Sequence, residues 1–162
     1  NNIPEEIKIL SPYDEYPSLV DRELVLQNSR VIIEYLDERF PHPPLLPVDP
    51  ISRAKFRLAL NEIEHSWYTK YAESYNDEVL DDKFVTEIKT YFLEIAPLIK
   101  RKFFMSDDFG LVDCSIAPLL WRLKSLDFDL AENNKVIGDY SERIFEREAF
   151  QDSLTETEKE LF

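Results

Sequence analysis

The sequence predicts a mainly α-helical protein: a small α/β part at its start, a stiff proline-rich connector, and an all-α bundle after it. Three observations carry that prediction. Only two glycines, Gly110 and Gly138, occur in 162 residues, too few for a sheet-rich architecture of tight turns or for a phosphate-cradling loop. Five of the ten prolines fall between Pro41 and Pro50, where φ is held at about −65° and few backbone N–H donors remain. Downstream of them, apolar residues recur at three- and four-residue spacing in four successive stretches, the pattern of helices packed on one face.

The elements follow in order. Ser18 to Leu26 alternates around the charged tip Asp21-Arg22-Glu23 and reads as a short β-hairpin. Asn28 and Ser29 are N-cap candidates for a helix Ser29–Arg39 with Val31, Ile32, Tyr35 and Leu36 on one face. The run Phe40-Pro41-His42-Pro43-Pro44-Leu45-Leu46-Pro47-Val48 suits neither helix nor inner strand and is expected as an extended, polyproline-like segment. It serves either as an unbending linker or as a presented ridge that a partner grips at little entropic cost. After it, everything is expected to be helical. Phe56, Leu60, Ile63, Trp67 and Tyr71 mark a long helix from near Pro50 to Tyr71. Val85, Ile88, Phe92, Ile95 and Ile99 mark a second, with a kink expected at Pro97. Val112, Ile116, Leu119, Leu120 and Leu123 mark a third, interrupted by Pro118, and Ile137, Tyr140, Ile144 and Phe145 a fourth. Trp67 and Trp121 are expected in or beside the common core. Thr155–Phe162 adds a last amphipathic turn or frays. The expected divisions are 1–40, a linker at 41–50, and an all-α domain at 51–162.

Composition limits the function. The chain is 44% hydrophobic and carries two Trp, eight Tyr and eleven Phe, enough for a real core. Its formal net charge is −14, so it repels phosphate backbones and anionic membranes, and direct nucleic-acid binding is not expected. Basic protein surfaces are the natural partners. Cys114 is the single cysteine, which rules out an internal disulfide framework and reads as a small helix-core hydrophobe. His42 and His65 are not at metal-ligand spacing, and no metal or cofactor is expected. No bilayer-spanning stretch or secretory signal is visible, so a cytoplasmic location is expected. The chain starts at Asn1 without a methionine, which suggests that N-terminal material precedes it.

The order hairpin, helix, rigid linker, helical bundle matches the end of a thioredoxin-like domain followed by the helical domain of the glutathione transferase fold. Within that superfamily, Leu19-Val-Asp-Arg-Glu-Leu24, Ser29-Arg30, Glu34-Tyr-Leu-Asp-Glu-Arg-Phe-Pro-His-Pro-Pro44, Trp67-Tyr68, Leu111-Val-Asp-Cys114, Ala117-Pro-Leu-Leu-Trp-Arg122 and Phe145-Glu-Arg147 closely resemble the stringent starvation protein A family. Those are bacterial RNA polymerase-associated regulators. The resemblance runs from about Ile9 to Glu160 and implies that the first strand–helix–strand unit lies outside this chain. It implies a non-enzymatic homodimer that binds RNA polymerase holoenzyme, both core and sigma factor, through Pro41, His42, Pro43 and Pro44. It also implies a cis bond at Tyr16–Pro17, and it aligns Ser29 with the serine that holds the glutathione carboxylate in true transferases. Asn28 stands where those enzymes carry Glu or Gln, so Tyr16, Pro17, Asn28 and Ser29 read as a vestigial glutathione site without a bound cofactor. Asp113 falls at the family's helix-capping box, with Gly110 replacing the usual hydroxyl. The rival is a glutathione-dependent transferase or thiol reductase, whose catalytic residue would sit in the missing N-terminal segment.

Overall fold

Residues 17–76, 79–99, 101–126 and 128–160 are described by the computed structural model. The alternating segment forms β1 (Ser18–Asp21) and β2 (Leu24–Gln27), an antiparallel pair with Leu19 opposite Leu26 and Val20 opposite Val25. Arg22, at φ 57°, makes the turn between them. Asn28, also left-handed at φ 73°, caps α1 (Ser29–Arg39): its side-chain oxygen accepts the N–H of Arg30 at 3.1 Å and of Val31 at 3.3 Å. Asparagine is among the few residues that enter this backbone region readily. The apolar face of α1 is narrower than its sequence suggests. Ile32 is buried and Tyr35 half-buried, whereas Val31 is 51% and Leu36 37% exposed. Successive helix residues point about 100° apart, so 31 and 32 cannot both centre on the packed side. Residue 37, an aspartate, is buried instead.

The chain divides into two compact units, Asn1–Leu46 and Pro47–Phe162. In the second, Asp49 accepts the Ser52 N–H at 2.9 Å and starts α2 (Pro50–Glu62), with Pro50 in the first turn where its missing donor is harmless. The long helix expected to Tyr71 is not uniform. A π-helical turn, Ile63–Tyr68, intervenes before α3 (Thr69–Ser74), and the wide turn carries Trp67, which is only 1% exposed, and Tyr68. Nor is everything beyond the proline run helical. β3 (Tyr75–Asn76) and β4 (Val79–Leu80) form a minimal antiparallel ladder. The Ser74 hydroxyl donates to the Tyr71 carbonyl at the end of α3, and Asp81 caps α4 (Asp82–Ile95) by accepting the Phe84 N–H at 2.6 Å.

Pro97 ends α4 rather than kinking it. The chain passes into a 3₁₀ turn, Ala96–Leu98, because Pro97 lacks the N–H that would continue the α-helical ladder. In α5 (Leu111–Ser125), by contrast, Pro118 is carried within the helix. There the Tyr68 hydroxyl donates to the Ser115 carbonyl at 2.8 Å, close to the proline break. Burial pushes this phenol up to about 12, with the Arg122 charge and the Leu119 amide pulling the other way. α6 (Leu130–Asn133), α7 (Lys135–Phe145), α8 (Glu148–Ser153) and α9 (Glu156–Lys159) complete the unit. At α9 the Thr155 hydroxyl and the Glu158 carboxylate cap each other's amides.

The centre of this unit is α5, on which Val112, Ile116, Leu119, Leu120 and Leu123 are wholly buried. Phe56 and Leu60 of α2 and Ile137, Tyr140, Ile144 and Phe145 of α7, all buried, pack around it, and Phe84, Ile88 and Phe92 of α4 are buried too, Phe84 against Tyr71 and Phe92 against Trp67 and Phe128. Trp121, 8% exposed, meets the Phe145 ring edge-on with centroids 4.9 Å apart. Both tryptophans therefore lie where the stripes place them, while Val85 and Ile95 are only half-buried and Phe84 takes the inner position at the start of α4.

Candidate functional site

The proline run leaves the end of α1 as an exposed ridge. The helix closes with the Phe40 N–H donating to the Leu36 carbonyl at 2.9 Å, and the His42 N–H then turns back to the Phe40 carbonyl at 2.9 Å. Pro41, His42, Pro43 and Pro44 are all exposed, and the His42–Pro43 peptide is cis. Phe40 is 66% exposed, with the Arg39 guanidinium 5.3 Å from its ring centroid. Arg39 also reaches the Asp21 carboxylate at 3.8 Å, and that carboxylate accepts the Tyr35 hydroxyl at 2.6 Å. The hydrogen bond to Asp21 is the first cause of a raised Tyr35 pKa. Beneath the ridge lies Asp37, 8% exposed, whose two oxygens accept the N–H of Leu45 at 2.6 Å and of Leu46 at 3.2 Å.

The residues aligned with a glutathione site fall elsewhere in the same unit. Tyr16 and the Tyr16–Pro17 bond lie outside the described residues. Pro17 is exposed, as are Asn28 and Ser29 at the start of α1. Two of that helix's first amides are taken by Asn28 itself, which uses donors that a helix N-terminus would otherwise hold out to an anion. Cys114 is half-buried in α5. Among the described residues no group of three His, Cys, Asp or Glu side chains is placed to hold a metal, and no helix is long and apolar enough to cross a membrane.

In the helical unit, Asp113 does more than bind the start of its own helix. Wholly buried, it accepts the Gly110 N–H at 2.7 Å on one oxygen, and the Phe104 N–H at 3.0 Å and the Tyr140 hydroxyl at 2.6 Å on the other. Burial raises its pKa, while the Tyr140, Phe104 and Gly110 hydrogen bonds oppose the rise. Tyr140 is pushed well above its ordinary value by burial and then by the Asp113 charge. This is a joint between α5, α7 and the 101–110 loop, and its geometry is structural. The reach from Asp113 to Phe104 and Tyr140 was not readable from the capping pattern; Asp37 was missed altogether.

Comparison with known proteins fixes the lineage. The glutathione S-transferase N-terminal domain family matches residues 1–44 and its C-terminal domain family residues 48–148. A stringent starvation protein A homolog of Haemophilus influenzae is 48% identical over 157 residues, covering 95% of this chain and 74% of that protein. The chain belongs to the stringent starvation protein A family. A second such homolog, from Coxiella burnetii, is 46% identical over 166 residues, covering 99% of this chain and 78% of its own length. A glutathione S-transferase of Rhodospirillum rubrum F11 superposes with a TM-score of 0.81 over 96% of this chain and 77% of that one, at 21% identity. At that identity the likeness is one of fold. The stringent starvation protein A family thus uses a glutathione-transferase-like fold, here with two small two-stranded ladders among the described residues and a mainly helical remainder.

Proposed function

We propose that this chain is a regulator of the stringent starvation protein A type that acts by contact with RNA polymerase holoenzyme, core and sigma factor together, and not by catalysis. The observation that carries the proposal is the ridge. Pro41, His42, Pro43 and Pro44 are exposed beside an exposed aromatic ring, in a run with few conformations to lose. The net charge of −14 favours basic protein surfaces over nucleic acid, and a cytoplasmic site of action goes with that partner. The vestigial positions Asn28 and Ser29 bind no glutathione in this reading.

A homodimer belongs to the same proposal, with residues 29–39 and 51–71 supplying its interface. What supports it is Ile51 and Leu58, two turns apart on α2 and 72% and 71% exposed. Apolar side chains so placed favour a partner surface over water.

The test is co-purification of polymerase with wild-type protein and with His42→Ala/Pro44→Ala, beside a thermal melt of each. The double variant melts within a few degrees of wild type and recovers much less polymerase. A mere linker gives altered stability and equal recovery, and equal recovery would sink the contact-surface reading.

A further inference from the structure

Of the seven residues 41–47, only His42, Leu45 and Leu46 carry a backbone N–H. All three are accounted for. His42 donates to the Phe40 carbonyl at 2.9 Å, and the other two converge on the two oxygens of Asp37. No sheet or helix ladder holds this run, so its own three donors are held by one local turn and one carboxylate, while at its far end the Arg53 guanidinium donates to the Pro47 carbonyl at 3.0 Å. That carboxylate sits on α1, is 8% exposed, and is three residues from Phe40, where the ridge begins. We infer that Asp37 is the positioning residue of the ridge: by clamping Leu45 and Leu46 it sets the arrangement in which Phe40, His42 and the prolines meet a partner. The inference rests on the ridge being the polymerase contact surface proposed above.

The chemistry explains why an aspartate is needed. Two N–H groups reach the same side chain, one on each oxygen, and a carboxylate offers an acceptor at both. Asparagine has nearly the same shape but only one acceptor, and its NH2 group would face the second amide. Without the clamp, residues 41–46 spread over several conformations, and the apparent affinity falls in proportion to the fraction still competent to bind. Most of that loss is expected in association, because the competent form becomes scarcer.

The test compares the purified chain with Asp37→Asn, Asp37→Glu and His42→Ala/Pro44→Ala. It measures binding to immobilised RNA polymerase holoenzyme and amide hydrogen exchange by NMR. In Asp37→Asn the Leu45 and Leu46 amides are expected to exchange at least about tenfold faster, those of β1 and β2 staying unchanged, while polymerase binding weakens by about tenfold. Asp37→Glu, with both acceptors displaced by one methylene, recovers part of each. Exchange that rises throughout the unit, with unchanged binding per folded molecule, would mean that Asp37 merely stabilises, and the inference falls. It also falls if His42→Ala/Pro44→Ala weakens binding but Asp37→Asn, with its two amides released, binds like wild type. If His42→Ala/Pro44→Ala binds like wild type, the contact-surface reading fails instead. Exchange at Leu45 and Leu46 then still decides whether Asp37 positions the run. Should Asp37→Asn not fold, Asp37→Glu decides: affinity must track the exchange of these two amides, and wild-type affinity with fast exchange overturns the clamp.

Discussion

Tyr140→Phe removes one oxygen from the centre of the helical unit and nothing else. The ring, wholly buried, keeps its packing, so no cavity opens. What disappears is the 2.6 Å hydrogen bond to Asp113, leaving that carboxylate with the Gly110 and Phe104 amides. A hydrogen bond to a charged acceptor contributes about 1.5–3 kcal/mol net, so a loss of about 2 kcal/mol is expected at pH 7. The pH dependence gives the expectation its sign. Asp113 has a folded pKa above its ordinary 3.8, so the folded state holds the proton more tightly than the unfolded chain. The stability from that protonation is complete below the unfolded value and is lost as pH rises through the folded one. Tyr140 works against the rise, and its removal lifts the folded value further. The cost of Tyr140→Phe is therefore largest above the folded pKa of Asp113, where the carboxylate is charged. On acidification through the folded pKa it shrinks toward that of a neutral hydrogen bond, about 0.5–1.5 kcal/mol. Urea unfolding followed by the emission of Trp67 and Trp121, both buried in this unit, measures it at each pH. With a slope of about 1–3 kcal/mol per molar, the midpoint moves by about 1 M. A loss below about 0.5 kcal/mol at pH 7, or one that grows on acidification, would refute the role given to this bond.

Gly138→Ala is expected to destabilise the helical unit by about 1–3 kcal/mol in the same assay, outweighing the helix propensity gained. A Cβ there would lie 2.6 Å from both Cα and Cβ of Ala131, which leaves backbone rather than a flexible side chain to move. Asn28→Ala loses a cap and places alanine at φ 73°, and is expected to lower the melting temperature more than Asn28→Gly, which loses only the cap. Leu58→Glu on α2 is expected to shift sedimentation at micromolar concentration from dimer to monomer without loss of helical signal; a dimer that survives removes α2 from the interface. The chain is expected to pass through immobilised glutathione unretained. Saturable glutathione binding abolished by Ser29→Ala would restore the transferase reading.

The helical stripes were legible because burial in a bundle repeats with the helix. Ile116, Leu119, Leu120 and Leu123 needed only their spacing to be placed inside. Period says nothing about where a turn widens, so the π turn at Ile63–Tyr68 stayed hidden within an unbroken apolar pattern. It was also silent on which of Val31 and Ile32 faced inward, since both fit a stripe of ordinary width. Buried carboxylates were the harder loss. Asp113 was half visible, because its distance from Gly110 is that of a capping pair. Its bond to Tyr140 spans 27 residues and follows from tertiary packing alone. Asp37 reads as one more acid on a charged helix, next to Glu38 and Arg39. The signal lay instead in the run that follows. A proline-rich segment has few amides, and any it keeps must find acceptors without the help of a ladder. Leu45 and Leu46 are two apolar residues whose amides have no regular partner, and Asp37 is the first acid upstream of them on the side where α1 packs. The few donors that a proline run retains thus point to an aspartate where hydropathy points to solvent.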